Sequence, residues 1–191
     1  DGTKIAFVWR YISGEKFYND IWIMDTSGNK ITQVKIPGPS PGLSWSPDGT
    51  RILFINMAAK GFNVCTIRGD GSEFCIWTKS FGSWNAFKAE WSRDSSRIAF
   101  VKQWFMPDAF EIWVADLTKN SNKRIVKEHF CKFIKNKIYP VWSFSRNDEI
   151  LLLDCDGEDK ASAGIYSVSL NVPGREELVQ PFDYLSVIGL S

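Results

Sequence analysis

A ten-residue segment recurs along the chain, and that repetition limits the possible folds more than any other feature. Trp45-Ser46-Pro47-Asp48-Gly49-Thr50-Arg51-Ile52-Leu53-Phe54 returns as Trp91-Ser92-Arg93-Asp94-Ser95-Ser96-Arg97-Ile98-Ala99-Phe100. A looser copy starts at Trp142 and continues Ser143-Phe144-Ser145-Arg146-Asn147-Asp148-Glu149-Ile150-Leu151-Leu152, with one extra residue. Asp1-Gly2-Thr3-Lys4-Ile5-Ala6-Phe7 reads as the tail of another copy. So aligned, a recurring Ile falls at 5, 52, 98 and 150, at intervals of 47, 46 and 52 residues.

Each interval holds four short strand-like runs. The run ending at Trp45 closes in a Pro-Asp-Gly turn, and 52–55 is a continuous apolar run of the kind that forms a buried strand. Third runs lie at 21–24, 64–67, 112–115 and 165–168, and fourth runs at 31–34, 74–77, 124–126 and 178–179. No window carries a helical period with caps and length. A four-stranded antiparallel unit at this spacing predicts an all-β fold, a β-propeller with four repeats. Blades are expected at 1–40 completed by 186–191, at 41–86, at 87–138 and at 139–185. The end Val187-Ile188-Gly189-Leu190-Ser191 matches Pro41-Gly42-Leu43-Ser44, which pairs the last strand with residues 5–8. Either the ends close a four-blade ring, or the chain is part of a larger propeller. It opens on Asp1-Gly2-Thr3, without an initiating Met or a signal peptide, as a trimmed or processed piece would.

These repeat motifs resemble the TolB-like (WD-repeat-like) β-propeller family, across essentially the whole chain in four copies. The resemblance rests on the Trp-Ser-Pro-Asp-Gly-Thr-Arg-Ile-Leu-Phe motif and on third strands such as Ile21-Trp22-Ile23-Met24-Asp25-Thr26-Ser27-Gly28. It departs from the pattern at Asp94-Ser95-Ser96 and at Ser145-Arg146-Asn147-Asp148. It implies a non-catalytic scaffold that binds a protein or peptide, in the periplasm, at the cell surface or outside the cell, and it implies no cofactor. Similar repeats also form the gating domains of prolyl-oligopeptidase-like and tricorn-like peptidases. In that alternative the catalytic domain lies outside this chain.

Composition agrees with a packed β domain: 191 residues, 44% of them apolar, with nine Trp and fourteen Phe. The 23 Lys and Arg against 22 Asp and Glu leave a net charge of +1, which calls for neither nucleic acid nor an anionic membrane as partner. No apolar run is long enough to cross a bilayer. G-x-G-x-x-G and the Walker-A pattern are missing from the sequence. His129 is the one histidine, so it cannot build a multi-His metal centre, and beside Cys131 in a loop it makes a poor nucleophile pair.

Aromatic residues concentrate where loops are expected. Trp9, Tyr11, Phe17 and Tyr18 fall in the second-to-third connection of the first repeat, and Trp104, Phe105 and Phe110 in that of the third. Phe81, Trp84 and Phe87, then Phe130, Phe133 and Tyr139, then Phe182 and Tyr184 fall between repeats. Either they roof the core or they form a recognition surface at one end of the blades, because aromatic residues dominate binding hot spots. We take Trp9, Tyr11, Phe17, Tyr18, Trp84, Trp104, Phe105, Phe110 and Tyr184 as the partner-binding candidates. Lys127, Lys132, Lys135 and Lys137 around Phe130 and Phe133 read as a solvated loop. Asp154, Asp156 and Glu158 offer oxygen ligands in a spacing that is not an EF-hand, a weak calcium candidate against an exposed acidic hairpin. Folding 64–77 about Asp70 sets Cys65 opposite Cys75, either a disulfide or two buried thiols. Asp20, Glu90 and Asp154 are the carboxylates a propeller glycosidase would need, without motif support.

Overall fold

The computed structural model describes residues 2–29, 32–36, 39–58, 61–78, 84–104, 110–126, 141–146, 148, 150–155, 164–171 and 176–181. Among them every regular element is a β-strand, and all pairings are antiparallel. The first sheet is β1 (Lys4–Ser13), β2 (Lys16–Asp25) and β3 (Thr32–Val34), in that order. The second runs β4 (Pro39–Trp45), β5 (Arg51–Ala58), β6 (Gly61–Arg68), β7 (Cys75–Ile76). The third runs β8 (Trp84–Trp91), β9 (Arg97–Trp104), β10 (Phe110–Asp116), β11 (Ser121–Val126). The fourth runs β12 (Val141–Phe144), β13 (Ile150–Cys155), β14 (Gly164–Ser169), β15 (Glu176–Pro181). Each is a meander, as expected from the repeat. The proposed pairing of 187–190 with 5–8 lies outside the described residues.

Successive side chains on a strand point to opposite faces, so a sheet that is apolar at every position must be covered on both sides. Three cores do this. Ile21, Ile23 and Val34 of the first sheet pack on Ile52, Phe54, Cys65 and Ile67 of the second. Leu53 and Val64, on the other side of the second sheet, pack on Ile98, Phe100 and Ala115 of the third. Ala99, Val101, Ile112 and Val114 of the third then meet Phe144, Val168 and Leu170 of the fourth. Phe54 and Phe100 are fully buried, and each such side chain stabilises the stack by roughly 1.5–3 kcal/mol.

Register corrects the alignment of the fourth repeat. Trp45 faces Ile52, Trp91 faces Ile98, and the next member of this series is Phe144 facing Leu151. The turns agree: Gly49 N–H donates to Ser46 O, Ser95 N–H to Ser92 O, and Asp148 N–H to Ser145 O. The fourth copy therefore begins at Phe144 rather than Trp142 and contains no extra residue. Phe144 fills the motif tryptophan's place in the core, so the Trp-Ser dipeptide at 142–143 is a coincidence of sequence.

The same turns join neighbouring sheets. Gly49, Ser95 and Asp148 occupy one position and all have a left-handed backbone, at φ +70°, +61° and +56°. Only glycine adopts that conformation without steric cost. Ser95 and Asp148 gain an inter-sheet bond instead. The Asp48 N–H donates to Ser95 Oγ at 3.0 Å, and the Asp94 N–H donates to Asp148 Oδ2 at 3.0 Å. Within each turn an aspartate collects local donors: Ser46 Oγ and Thr50 N and Oγ1 on Asp48, Ser92 Oγ and Ser96 N and Oγ on Asp94. The third-to-fourth turns repeat the device with Asp25, Asp70 and Asp116. Beneath them Trp45 lies flat over Gly69, where an added Cβ would come within 3.0 Å of the ring.

Two outcomes are expected from these turns. Ser95→Ala should lower the unfolding free energy by about 1–2 kcal/mol in urea titration, since it keeps the left-handed backbone and loses the bond, and Ser95→Gly should cost less. The Thr118 hydroxyl, together with the ammonium and N–H of Lys119, holds the Asp116 carboxyl down to about 2, against the pull of burial. A depressed carboxyl stabilises the fold above its unfolded value near ~4 and loses that contribution as pH falls towards its folded value. Melting temperature should therefore drop between about pH 4 and 2, and Asp116→Asn should make the drop shallower.

Candidate functional site

The aromatic cluster of the first repeat is not a loop. A two-residue turn, Gly14-Glu15, joins β1 and β2, with Gly14 at φ +63°. This corrects the loop placement of Trp9, Tyr11, Phe17 and Tyr18, all of which lie in strands. The physical reason is a period of two that continues through the supposed loop. Phe7 opposes Trp22, Trp9 opposes Asp20 and Tyr11 opposes Tyr18, which puts all six on one face of the sheet. Phe17 opposes Ile12 and belongs by register to the other face.

This face is a stack of rings around one carboxylate. Tyr11 and Tyr18 stack at 5.2 Å between centroids, Trp9 and Trp22 meet at 6.3 Å, and Phe7 and Trp9 at 6.4 Å. Asp20 is 7% exposed and accepts hydrogen bonds from Tyr11 Oη at 2.9 Å and Gln33 Nε2 at 2.7 Å. The bond to Asp20, then burial, raises the Tyr11 hydroxyl above its ordinary value, so the phenol stays protonated as a donor. Among the described residues the buried indole N–H of Trp22 has no hydrogen-bond partner. Trp9 is 54% exposed and Ile5, on the same face, 41%.

The equivalent position of the third sheet holds a carboxylate that motif reading missed. Glu111 is buried, accepts the indole N–H of Trp113 at 2.7 Å and pairs with Arg124. The Lys102 ammonium sits 4.2 Å from the centroid of the Trp113 ring. Burial lowers the Lys102 pKa, and the charge of Glu111 partly opposes the shift. The shared pattern Asp20-Ile21-Trp22 and Glu111-Ile112-Trp113 was the available signal. Glu90 belongs to β8, where burial raises its carboxyl against the charge of Lys88, and Asp154 belongs to β13. Asp20, Glu90 and Asp154 thus stand on three different sheets, and Asp20 is already satisfied by its own donors.

At the opposite end from the aspartate turns, Trp84 and Trp104 are cross-strand partners that close the third sheet, and Phe110 opposes Gln103 on the adjoining pair. Phe105 and Tyr184 lie outside the described residues, as do Asp156, Glu158 and His129. Among the described residues no three His, Cys, Asp or Glu side chains gather in a metal-binding group, and no helix is long and apolar enough to cross a membrane.

The cysteine pairing also needs correction. Cys65 opposes Ile76, and Cys75 opposes Thr66, one residue away from the expected register. A one-residue slip moves a side chain to the other face of the sheet. Cys65 therefore packs in the core shared with the first sheet and Cys75 against the core shared with the third. Both are free thiols, and with them goes the argument from Cys65 and Cys75 for an oxidising compartment. Burial pushes the Cys65 thiol up to about 12.

No protein-family model and no curated protein sequence matches the chain. Solved structures do. The β-propeller domain of the trilobed protease from Pyrococcus furiosus, described as having an open velcro topology, superposes with a TM-score of 0.69 at 17% identity, over 93% of this chain and 54% of that one. The fold is a β-propeller. Oligogalacturonate lyase in complex with manganese matches with a TM-score of 0.65 at 13% identity, over 95% of this chain and 51% of its own. TolB from Acinetobacter baumannii matches with a TM-score of 0.53 at 18% identity, over 94% and 41%. The TolB-like repeat resemblance thus has structural counterparts. Identities this low establish the fold alone, and the chain spans about half the length of the propeller structures it matches. From here we call its sheets blades.

Because only the thiolate attacks alkylating reagents, Cys65 should remain unmodified by iodoacetamide at pH 8 in the native protein and react once the chain is unfolded. Peptide mapping by mass spectrometry reads this directly. A native Cys65–Cys75 cross-link in the same map would contradict the register of β6 and β7.

Proposed function

We propose that this chain is a non-catalytic propeller segment that binds a protein or an extended peptide at the end carrying its long connections. The observation that supports the reading is the asymmetry between the two ends of the blades. At one end, Asp25, Asp48, Asp70, Asp94 and Asp116 are taken up by donors of their own turns. Such groups have little left to offer a partner. At the other end stand the cross-strand pair Trp84 and Trp104 and the connection that contains Phe105. Rigid aromatic side chains on a fixed scaffold provide contact area at low entropic cost, which is why they anchor interfaces. The site we assign is Trp84, Trp104, Phe105 and Phe110, with Phe17 and Tyr184 as flanking candidates. Tyr11, the register equivalent of Trp104, stands with Tyr18 at this same end beside the Gly14-Glu15 turn, and Trp9 lies on the sheet face of the first blade.

A second reading has its own support. One matched structure is the propeller domain of a protease, and in such an architecture the propeller would admit or hold peptide substrate for a hydrolase domain on the same polypeptide. Both readings admit an extended peptide as ligand, and they differ in what the full-length protein carries.

The test is selection of a phage-displayed library of random linear peptides on the purified chain. Enriched peptides should lose binding by about tenfold or more on Trp104→Ala and on Phe105→Ala, as expected for an aromatic hot spot, while melting temperature changes little. Failure to enrich, or binding indifferent to both substitutions, overturns the assignment of this end as the binding surface.

A further inference from the structure

The seam between the third and fourth blades opens into a cleft of about 180 Å³ at the end that carries the aspartate turns. A single water needs roughly 10–15 Å³ of such space, so the cleft admits a small molecule. Two rows of the third blade form its wall. Arg97 of β9, Asp116 of β10 and Ser121 of β11 oppose one another across the three strands, and Val114 opposes Lys123 in the next row of the same face. Leu170 and Asn171, just beyond β14, form the fourth-blade side. Val114 and Leu170 belong to the core between the two blades and give the cleft an apolar floor.

The charges lining this cleft do not balance. Arg97, Lys119 and Lys123 are cationic, and among the described residues Asp116 is the one carboxylate in the lining. Asp116 is already engaged by the hydroxyl and N–H of Thr118 and by the N–H and ammonium of Lys119, the last at 3.0 Å. Arg97 lies 3.8 Å from Asp94, whose carboxylate is taken up by Ser92 and Ser96. Lys123 donates to the carbonyl oxygen of Leu170, which carries no charge. The second blade shows the same row when it supplies its own anion. Register equates Arg51 with Arg97 and Arg68 with Asp116. Glu73 follows Arg68 by five residues, as Ser121 follows Asp116. Glu73 pairs with both Arg51 and Arg68. The third blade has a hydroxyl in place of that carboxylate.

We propose that this cleft binds the phosphate group of a small phosphate monoester, with Arg97 and Lys123 as its cationic donors. The Ser121 hydroxyl and the Asn171 amide add neutral donors from either side of the seam. Phosphate suits the site better than a carboxylate does. A dianion offsets both cations, whereas a carboxylate offsets one. A guanidinium matches two oxygens of a tetrahedral anion with parallel N–H bonds. An ammonium has three donors, so Lys123 can reach the ligand and keep its bond to Leu170. The organic part of the monoester rests on Val114 and Leu170. Free phosphate offers the same headgroup without that contact.

The experiment is isothermal titration calorimetry of the whole chain at about pH 8, where a phosphate monoester has lost the second proton, whose pKa is near ~6. The probes are phenyl phosphate, inorganic phosphate and benzoate, with circular dichroism to confirm that each variant keeps its β structure. Phenyl phosphate is expected to bind saturably at one site. Lys123→Gln should weaken it by about tenfold or more, the scale of one lost charge-assisted hydrogen bond. Ser121→Glu should abolish binding without loss of fold, because it installs beside Arg97 the carboxylate that the second blade carries at Glu73. Lys4→Gln removes an exposed positive charge from the first blade and should leave the affinity unchanged. Inorganic phosphate weaker than phenyl phosphate supports an organic monoester as ligand, and equal affinity overturns that part of the assignment in favour of free phosphate. Absence of saturable binding by either phosphate overturns the proposal. So does binding that survives Ser121→Glu, that falls equally on Lys4→Gln, or that benzoate matches.

Discussion

The second and third blades are apolar on both faces, and neither can be stable alone. The remaining features follow from that constraint. Covering one face of a twisted sheet with another sheet buries Phe54, Phe100 and their neighbours but leaves the far face of the newcomer open. The problem passes along the chain from blade to blade until some surface ends the series. Stability is therefore a property of the stack, shared among three interfaces, as in other repeat proteins whose units contact only their neighbours. The turns matter for the same reason. They hold each meander to one register, and a slip of one residue would exchange its two faces and bring the wrong side chains to both interfaces.

The sequence carried the architecture because the repeat is written in core residues. Trp45 and Trp91, Ile52 and Ile98, and Phe54 and Phe100 fill equivalent places in pairs, so a single alignment delivered the strand order and the aspartate turns. Two errors show where sequence reading ended. The Trp-Ser pair at 142–143 mimics the motif in sequence, whereas register places Phe144 at the position of Trp45 and Trp91. The cysteine pairing failed because a hairpin with several loop residues does not announce its register. β7 is two residues long, and counting outward from Asp70 leaves one residue of freedom.

The aromatic surface was legible in composition and misleading in location. Trp9, Tyr11 and Tyr18 fall where the repeat leads one to expect the second-to-third connection. The first hairpin instead extends both strands to a two-residue turn, and the rings become part of a sheet face. The buried carboxylates were harder still. Asp20 and Glu111 occupy equivalent strand positions, yet each is hydrogen-bonded by a different set, a tyrosine and a glutamine in one case, a tryptophan and an arginine in the other. Tyr11, Gln33 and Arg124 come from 9 to 13 positions away in the chain, and only Trp113, two residues from Glu111, is local. What remains distinctive about the candidate recognition end is that its aromatic residues stand on strand termini and connections rather than in the repeat.

The left-handed turn position gives the blades an order as well as a stack. Ser95 reaches back to the second blade and Asp148 reaches back to the third, each through its own side chain. Gly49 has no side chain to reach with. The second blade is therefore free of this tether on its leading side, and the third and fourth are not. A consensus turn grafted into either of the later repeats would preserve its internal hydrogen bonds and cut its link to the blade before it. Sequence similarity among the repeats is thus a poor guide to whether they can be exchanged, because the residue that departs from the consensus is the one that records its neighbour.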